Sequence, residues 1–290
     1  ITCRDWFQLS LKEGLTVFRD QSFTSDLHSH SEKRIEDVSF LRNTQFLEDS
    51  GPTAHPVKPS QYLAIDNFYS TTIYEKGAEL IRMLQTMIGN KRFLIGIGIY
   101  VKRFDGFAAT TEDFVEAIRE GACQDNTSLG FDINQFSNWY TQSGTPEINI
   151  VREWDSKVGR LTIKVSQNPP TSSSESNKFP LVIPLLIAII TANGRLGEER
   201  LLILDQNKQE FILEGLPLTK KVPVLSLFRR FSAPVIWKSD ACFDELFELL
   251  RFDDDPFSRW NAGQFLMREA LLARASRAPD IELEEKLLET

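Results

Sequence analysis

The stretch WYTQSGTP, residues 139–146, separates two kinds of sequence and thereby decides the fold class. Gly144 and Pro146 interrupt the chain there, because glycine and proline break regular structure. Before this stretch, apolar residues recur at helical spacing; after it, short β-branched and alternating runs follow, which is the pattern of strands. We therefore expect a helical part followed by a β-rich part.

Helical patterns occupy most of the chain before this junction. The first begins after Asp5, a candidate N-cap, and contains Glu13. The others cover residues 31–46, 67–88, 91–104 and 111–121. Between two of them, the proline-rich SGPTAHPVKP (residues 50–59) predicts an ordered loop, because three prolines block a helix.

Strand patterns dominate the chain after the junction, until the helical period returns at about Ala241. The strands are predicted at residues 147–152, 160–167, 181–191, 199–205, 209–213 and 222–237, a spacing that indicates a β-sandwich. Apolar helix faces then recur as far as the acidic 282–289, as at the start of a helical array. We predict three domains: 1–140, 141–238 and 239–290.

Composition excludes several classes of function. The net charge of −8 argues against a nucleic-acid or anionic-membrane partner, since both require a basic surface. The longest apolar run, residues 181–192, is too short to span a bilayer. Three scattered cysteines without a CxxC pair, Cys3, Cys123 and Cys242, fit a reducing cytoplasm, and no GxSxG elbow supports a serine hydrolase. Because the chain starts at Ile1, without a signal peptide, we expect it to be part of a longer polypeptide.

Three blocks carry a family resemblance: SLKEGLTVFRDQ (10–21), NFYSTTIYEKGAELIRML (67–84) and WYTQSGTP. In the same order and at similar intervals, they resemble the bacterial aminopeptidase N group of zinc gluzincin metallopeptidases. FSAPV (231–235) and DPFSRWNAGQ (255–264) extend the resemblance over nearly the whole chain. It implies a multidomain α+β fold: the C-terminal helical part of a thermolysin-like catalytic domain, an Ig-like β-sandwich, and the start of an α-helical C-terminal domain.

The resemblance assigns a zinc ligand to Glu13, which the sequence alone would read as a solvated helix residue. In that family an HExxH helix supplies two histidines and a general base, and a glutamate of the next helix supplies the third ligand. This chain contains neither HExxH nor the Gly-x-Met-Glu-Asn motif that grips the substrate amino terminus. Its histidines, His28, His30 and His55, show no HxxxH spacing. We therefore expect an incomplete zinc site and no activity from this chain alone.

The resemblance also assigns the catalytic tyrosine to Tyr74, which would donate a hydrogen bond to the oxyanion of the tetrahedral intermediate. Core packing is the alternative for a helix tyrosine. Tyr69, Glu75 and Lys12 are candidate substrate-binding residues; packing remains open for Tyr69, and helix ion pairing for Glu75. The implied activity is removal of amino-terminal residues, small and basic ones among them, from peptides. The alternative is a non-catalytic scaffold or binding module that keeps the gluzincin fold.

Overall fold

The first part of the molecule is helical, as predicted. The computed structural model describes residues 1–124, 128–168 and 178–290. Its first helices are α1 (Leu9–Leu27), α2 (His30–Asn43), α3 (Gln45–Ser50), α4 (Gly77–Ile88), α5 (Asn90–Phe104), α6 (Thr111–Ala122), α7 (Ile133–Phe136) and α8 (Asn138–Thr141). Two short strands, β1 (Thr2–Cys3) and β2 (Ala108–Ala109), pair in parallel beside them.

The prediction of one continuous helix over residues 67–88 was wrong. A 3-10 turn, Ile65–Phe68, comes first, and a π-helical turn, Thr72–Lys76, then leads into α4. In the π turn the amide of Gly77 donates to the carbonyl of Thr72, five residues earlier. A helix over 31–46 was also wrong, because α2 ends where the Thr44 hydroxyl bonds back to the carbonyl of Phe40 at 2.6 Å.

The β-rich part is a sandwich of two sheets. Its strands are β3 (Glu147–Asp155), β4 (Arg160–Asn168), β5 (Ile183–Thr191), β6 (Gly194–Leu204), β7 (Lys208–Leu213), β8 (Val224–Ser226) and β9 (Ile236–Ser239). One sheet has the order β7-β4-β3-β9, with β3 and β9 parallel, and the other has the order β6-β5-β8. Strand β5 is buried on both faces: Ile187 and Ile189 join the main core, while Ala188 and Ile190 pack toward the C-terminal helices.

A single strand over residues 222–237 was also a wrong prediction. Between β8 and β9 the chain makes a turn in which Phe228, Arg230 and Phe231 have φ angles of 49°, 53° and 53°. Such left-handed conformations are costly for non-glycine residues and persist only when surrounding contacts fix them. Here Arg34 of α2 donates to the carbonyls of Arg230 and Phe231, both at 2.9 Å.

The C-terminal part is helical and packs on both preceding parts. It comprises α9 (Phe243–Phe252), α10 (Pro256–Ala275) and α11 (Ile281–Leu288). Phe257 of α10 joins Phe231 of the sandwich and Val38 and Leu41 of α2 in one buried cluster. The predicted order of helical part, β-sandwich and further helices is therefore confirmed. Among the residues described, no helix is long and apolar enough to cross a bilayer.

Candidate active site

Two glycines bring the helix of Glu13 against the turn of Tyr74. A Cβ built on Gly14 would lie 2.8 Å from the carbonyl carbon of Gly77, and one built on Gly77 would lie 3.4 Å from the Cα of Gly14. The two backbones are therefore in contact, which only small residues permit. Because Gly14 follows Glu13 and Gly77 closes the π turn, this contact places the carboxylate beside the phenol.

The Glu13 carboxylate pairs with its neighbour Lys12. Their Oε1 and Nζ atoms are 2.9 Å apart, with the Glu13 side chain 13% exposed and that of Lys12 63% exposed. The hydrogen bond to Glu13, followed by its negative charge, raises the pKa of Lys12. Most of the Glu13 side chain is thus covered, and its charge is paired with the exposed ammonium of Lys12.

Tyr74 is a neutral hydrogen-bond donor in this setting. Burial raises the pKa of its phenol, and the charge of Glu13 raises it further, while Lys12 opposes the shift. The hydroxyl therefore keeps its proton at neutral and mildly alkaline pH. A phenol in that state can donate to an oxygen on which negative charge develops.

An aromatic surface extends from Tyr74 across the site. The ring centroids of Tyr69 and Tyr74 are 6.4 Å apart, and Trp6 lies 6.4 Å from Tyr69 and 6.2 Å from Phe68. Tyr69 and Trp6 are exposed, whereas Phe68 is buried beneath them. The structure thus brings Lys12, Tyr69 and Tyr74 to one side of the Glu13 carboxylate.

Glu75 belongs to a different group of side chains. Its Oε2 accepts a hydrogen bond from Nε2 of Gln21 at 3.4 Å, eight residues beyond Glu13 and hence about 12 Å further along α1. Burial raises the pKa of Glu75 to about 7, with the negative charges of Asp37 and Glu79 adding to the effect. A substrate-binding role for Glu75 stays a prediction.

A zinc site does not assemble from the residues described. No group of three or more His, Cys, Asp or Glu side chains within 1–124, 128–168 and 178–290 could hold a metal ion. His30 is exposed and its Nδ1 contacts the hydroxyl of Ser25, while His55 is half-buried and its Nδ1 lies 2.9 Å from the carbonyl of Pro56. The ligand role of Glu13 stays a prediction, and a three-ligand centre would need groups outside the described residues.

Comparison with known proteins identifies the family. A family model for the Peptidase family M1 domain matches residues 1–140. Aminopeptidase N of Haemophilus influenzae is 41% identical over 302 residues, which cover 99% of this chain and 33% of that relative. Aminopeptidase N of Caulobacter vibrioides is 45% identical, with coverage of 99% and 32%. Residues 1–140 of this chain belong to peptidase family M1. The resemblance carried by the three sequence blocks is thus confirmed.

Two other family models match the remaining parts of the chain. Residues 144–240 match a domain of unknown function with an Ig-like fold (DUF3458), and residues 243–290 match its C-terminal companion of ARM repeats (DUF3458_C). A crystal structure of Legionella pneumophila aminopeptidase A in complex with aspartic acid superposes with a TM-score of 0.76 at 31% identity. The superposition covers 91% of this chain and 28% of that one. The chain thus spans about a third of the length of the curated relatives it matches.

Two acidic residues near the site were not predicted from the sequence. Glu48 accepts hydrogen bonds from the amide of Thr72 at 2.8 Å and from that of Thr71 at 3.3 Å. Asp49 forms an ion pair with Lys76, at 2.7 Å. A signal for the second contact was present, because Lys76 shares a helix face with buried apolar residues and a lysine there requires a carboxylate. Nothing local pointed to Glu48.

Proposed function

We propose that the protein containing this chain is a zinc-dependent aminopeptidase that removes amino-terminal residues from peptides. The observation that carries the proposal is the contact of Gly14 with Gly77, which sets the Glu13 carboxylate beside the Tyr74 phenol. A carboxylate ligand next to a neutral donor is what hydrolysis of a peptide bond at a metal requires. The M1 relatives named above are aminopeptidases, which supports the same reaction class.

Tyr74 would act on the oxyanion. Attack of water on the scissile carbonyl turns its oxygen from a weak acceptor into an alkoxide, so a hydrogen bond from Tyr74 strengthens in the transition state. A tyrosine phenol is neutral at pH 7, so the proton stays on Tyr74 while it donates. Removing a donor of this kind typically costs a factor of about 10²–10³ in kcat.

Glu13 would supply one ligand to the zinc ion. Zinc bound there would polarise the scissile carbonyl and lower the pKa of a bound water. Lys12 keeps the Glu13 carboxylate oriented in the present structure. We further propose that the exposed ring of Tyr69 lines the pocket for the first side chain of the peptide. Glu75, which contacts α1 at Gln21, is proposed to contribute to substrate binding. Alanine and basic residues are proposed to be accepted at the amino terminus of the substrate.

Two further expectations belong to this proposal. The free thiols of Cys3, Cys123 and Cys242 support a cytoplasmic location. Since the described residues offer one zinc ligand, we expect residues 1–290 alone not to hydrolyse peptides. The competing function is a non-catalytic scaffold of the same fold, which would also need the Gly14–Gly77 contact.

The test measures zinc content and hydrolysis of alanine p-nitroanilide with the product of the complete gene. We expect about one zinc per molecule, and a fall in kcat of about 10²–10³ for Tyr74→Phe at unchanged zinc content. Tyr62→Phe is the matched control: its ring contacts Phe7 and Phe68, so the same loss of a hydroxyl next to the site is expected to change kcat less than about twofold.

Two results would contradict different parts of the proposal. A metal-free and inactive gene product would favour the scaffold. Full activity of Tyr74→Phe would remove Tyr74 from the mechanism while leaving the reaction class intact.

A further inference from the structure

The turn that carries Tyr74 is π-helical, and that form needs external support. Single π turns are rare within helices and occur often at functional sites. In this turn, Thr72–Lys76, the amide of Gly77 donates to the carbonyl of Thr72. The backbone is therefore wider than in an α-helix, and the direction of the Tyr74 ring depends on where the extra residue is accommodated.

Glu48 holds the beginning of the turn. Its carboxylate accepts from the amides of Thr71 and Thr72, at 3.3 and 2.8 Å, and also from the Thr72 hydroxyl. Gln45, one helical turn earlier on α3, donates to the same hydroxyl at 3.3 Å. Amides at the start of a helix lack intrahelical acceptors, and a carboxylate there is stabilising.

Asp49 holds the end of the turn. Its Oδ2 lies 2.7 Å from Nζ of Lys76, the last residue of the π turn, and the two side chains are 0% and 1% exposed. The same carboxylate accepts from the amide of Gly144 at 2.8 Å and the hydroxyl of Thr145 at 3.0 Å. Lys76 also donates to the carbonyl of Gly144 at 3.0 Å. Each buried charge thus has hydrogen-bond partners besides the other charge, which a buried pair requires.

We propose that Glu48 and Asp49 are positioning residues for Tyr74, because they clamp the two ends of the π turn and thereby aim the phenol at the space beside Glu13. The inference rests on the proposed function, in which Tyr74 donates to the oxyanion. Two successive residues of one short helix fix both ends, so neither end can move alone. Asp49 also holds Gly144 and Thr145, so the junction with the β-sandwich is tied to the position of Tyr74.

The first test is a double-mutant cycle in the product of the complete gene. Glu48→Gln keeps the size of the side chain but loses one carboxylate acceptor, and we expect kcat to fall about tenfold with KM and zinc content unchanged, since small misplacements of a catalytic group are costly. In the Tyr74→Phe background, Glu48→Gln is expected to change kcat less than twofold, because the group it positions is gone. The proposal would be overturned if the kcat losses of Glu48→Gln and Tyr74→Phe multiply in the double variant. It would also be overturned if Glu48→Gln alone leaves kcat unchanged.

The second test does not depend on activity. Hydrogen exchange, read by mass spectrometry in peptides covering Thr71 and Thr72, is expected to accelerate about tenfold in Glu48→Gln. Glu116→Gln is the matched control, because it loses one exposed ion pair on α6 and is expected to leave these peptides unchanged. If the gene product is inactive, the proposed function fails, and hydrogen exchange alone then tests whether Glu48 holds the π turn. Unchanged exchange in Glu48→Gln would refute that role of Glu48. Glu48 is chosen because Asp49→Asn leaves a buried ammonium unpaired and endangers folding.

Discussion

Replacing Gly14 by alanine tests the helix contact on which the site depends. The added Cβ would lie 2.8 Å from the carbonyl carbon of Gly77, and 3.1 Å from both its Cα and its oxygen. All three neighbours are backbone atoms, so no side chain can rotate away. The helices have to separate by several tenths of an ångström, which moves Glu13 relative to Tyr74.

Two opposing terms set the magnitude of the effect. Alanine is favoured over glycine within a helix by about 0.8–1.0 kcal/mol. Overpacking of a close contact costs about 1–3 kcal/mol. Gly98 provides the matched control, because it lies in α5, is exposed, and would have no atom within 4 Å of an added Cβ. Gly98→Ala should gain only the helix propensity of alanine. The difference in free energy of unfolding between the two variants is therefore the cost of overpacking at Gly14, about 1–3 kcal/mol.

Urea unfolding followed by tryptophan fluorescence measures this difference at constant m-value. Gly14→Ala is expected to unfold at lower urea than Gly98→Ala, and in the product of the complete gene to have lower kcat, whereas Gly98→Ala keeps wild-type kcat. Equal stabilisation by the two substitutions would refute the close contact. Equal kcat would refute the link from that contact to the site.

Three further predictions concern buried charges. The pKa of Glu75 is about 7 in the folded protein, above its unfolded value, so between about pH 4.5 and 7 the folded state binds a proton that the unfolded state has released, and the folded state loses stability as pH rises through this range. Glu75→Gln removes this loss and should therefore raise the urea midpoint more at pH 8 than at pH 5.5. Equal shifts at the two pH values would contradict the raised pKa of Glu75. Arg34→Ala removes the bidentate partner of the buried Glu79 carboxylate, at 2.7 Å, and leaves the longer contact with Arg82, at 3.4 Å. It should cost about 1.5–3 kcal/mol in urea unfolding, against less than about 1 kcal/mol for Arg103→Ala, which breaks an exposed pair. Arg42→Lys replaces a guanidinium that lies 5.1–6.0 Å from the centroids of four aromatic rings, and should lower Tm measurably. An unchanged Tm would show that an ammonium serves there as well as a guanidinium.

The local patterns of the sequence predicted elements whose energetics are local. The helix over 111–121 is an example: Thr110 accepts from the amide of Asp113, and the Asp113 carboxylate accepts from that of Thr110, so the cap is complete within four residues. The break at WYTQSGTP and the alternation of the strands are of the same kind. Family resemblance added the site residues Glu13 and Tyr74, which no periodicity distinguishes from ordinary helix positions.

By itself, then, the sequence determined the order of helical part, β-sandwich and further helices, and its resemblance to a family supplied the candidate residues of the site, which stay predictions. Only the tertiary structure decided the π turn and the left-handed turn at 228–231. Both depend on partners far away in sequence: Glu48 and Asp49 reach the π turn from another helix, and Arg34 reaches the turn at 228–231 from nearly 200 residues away. A local pattern favours one backbone form by tenths of a kcal/mol per residue, whereas leaving a buried charged group without its partners costs several, so the backbone form that supplies those partners is adopted.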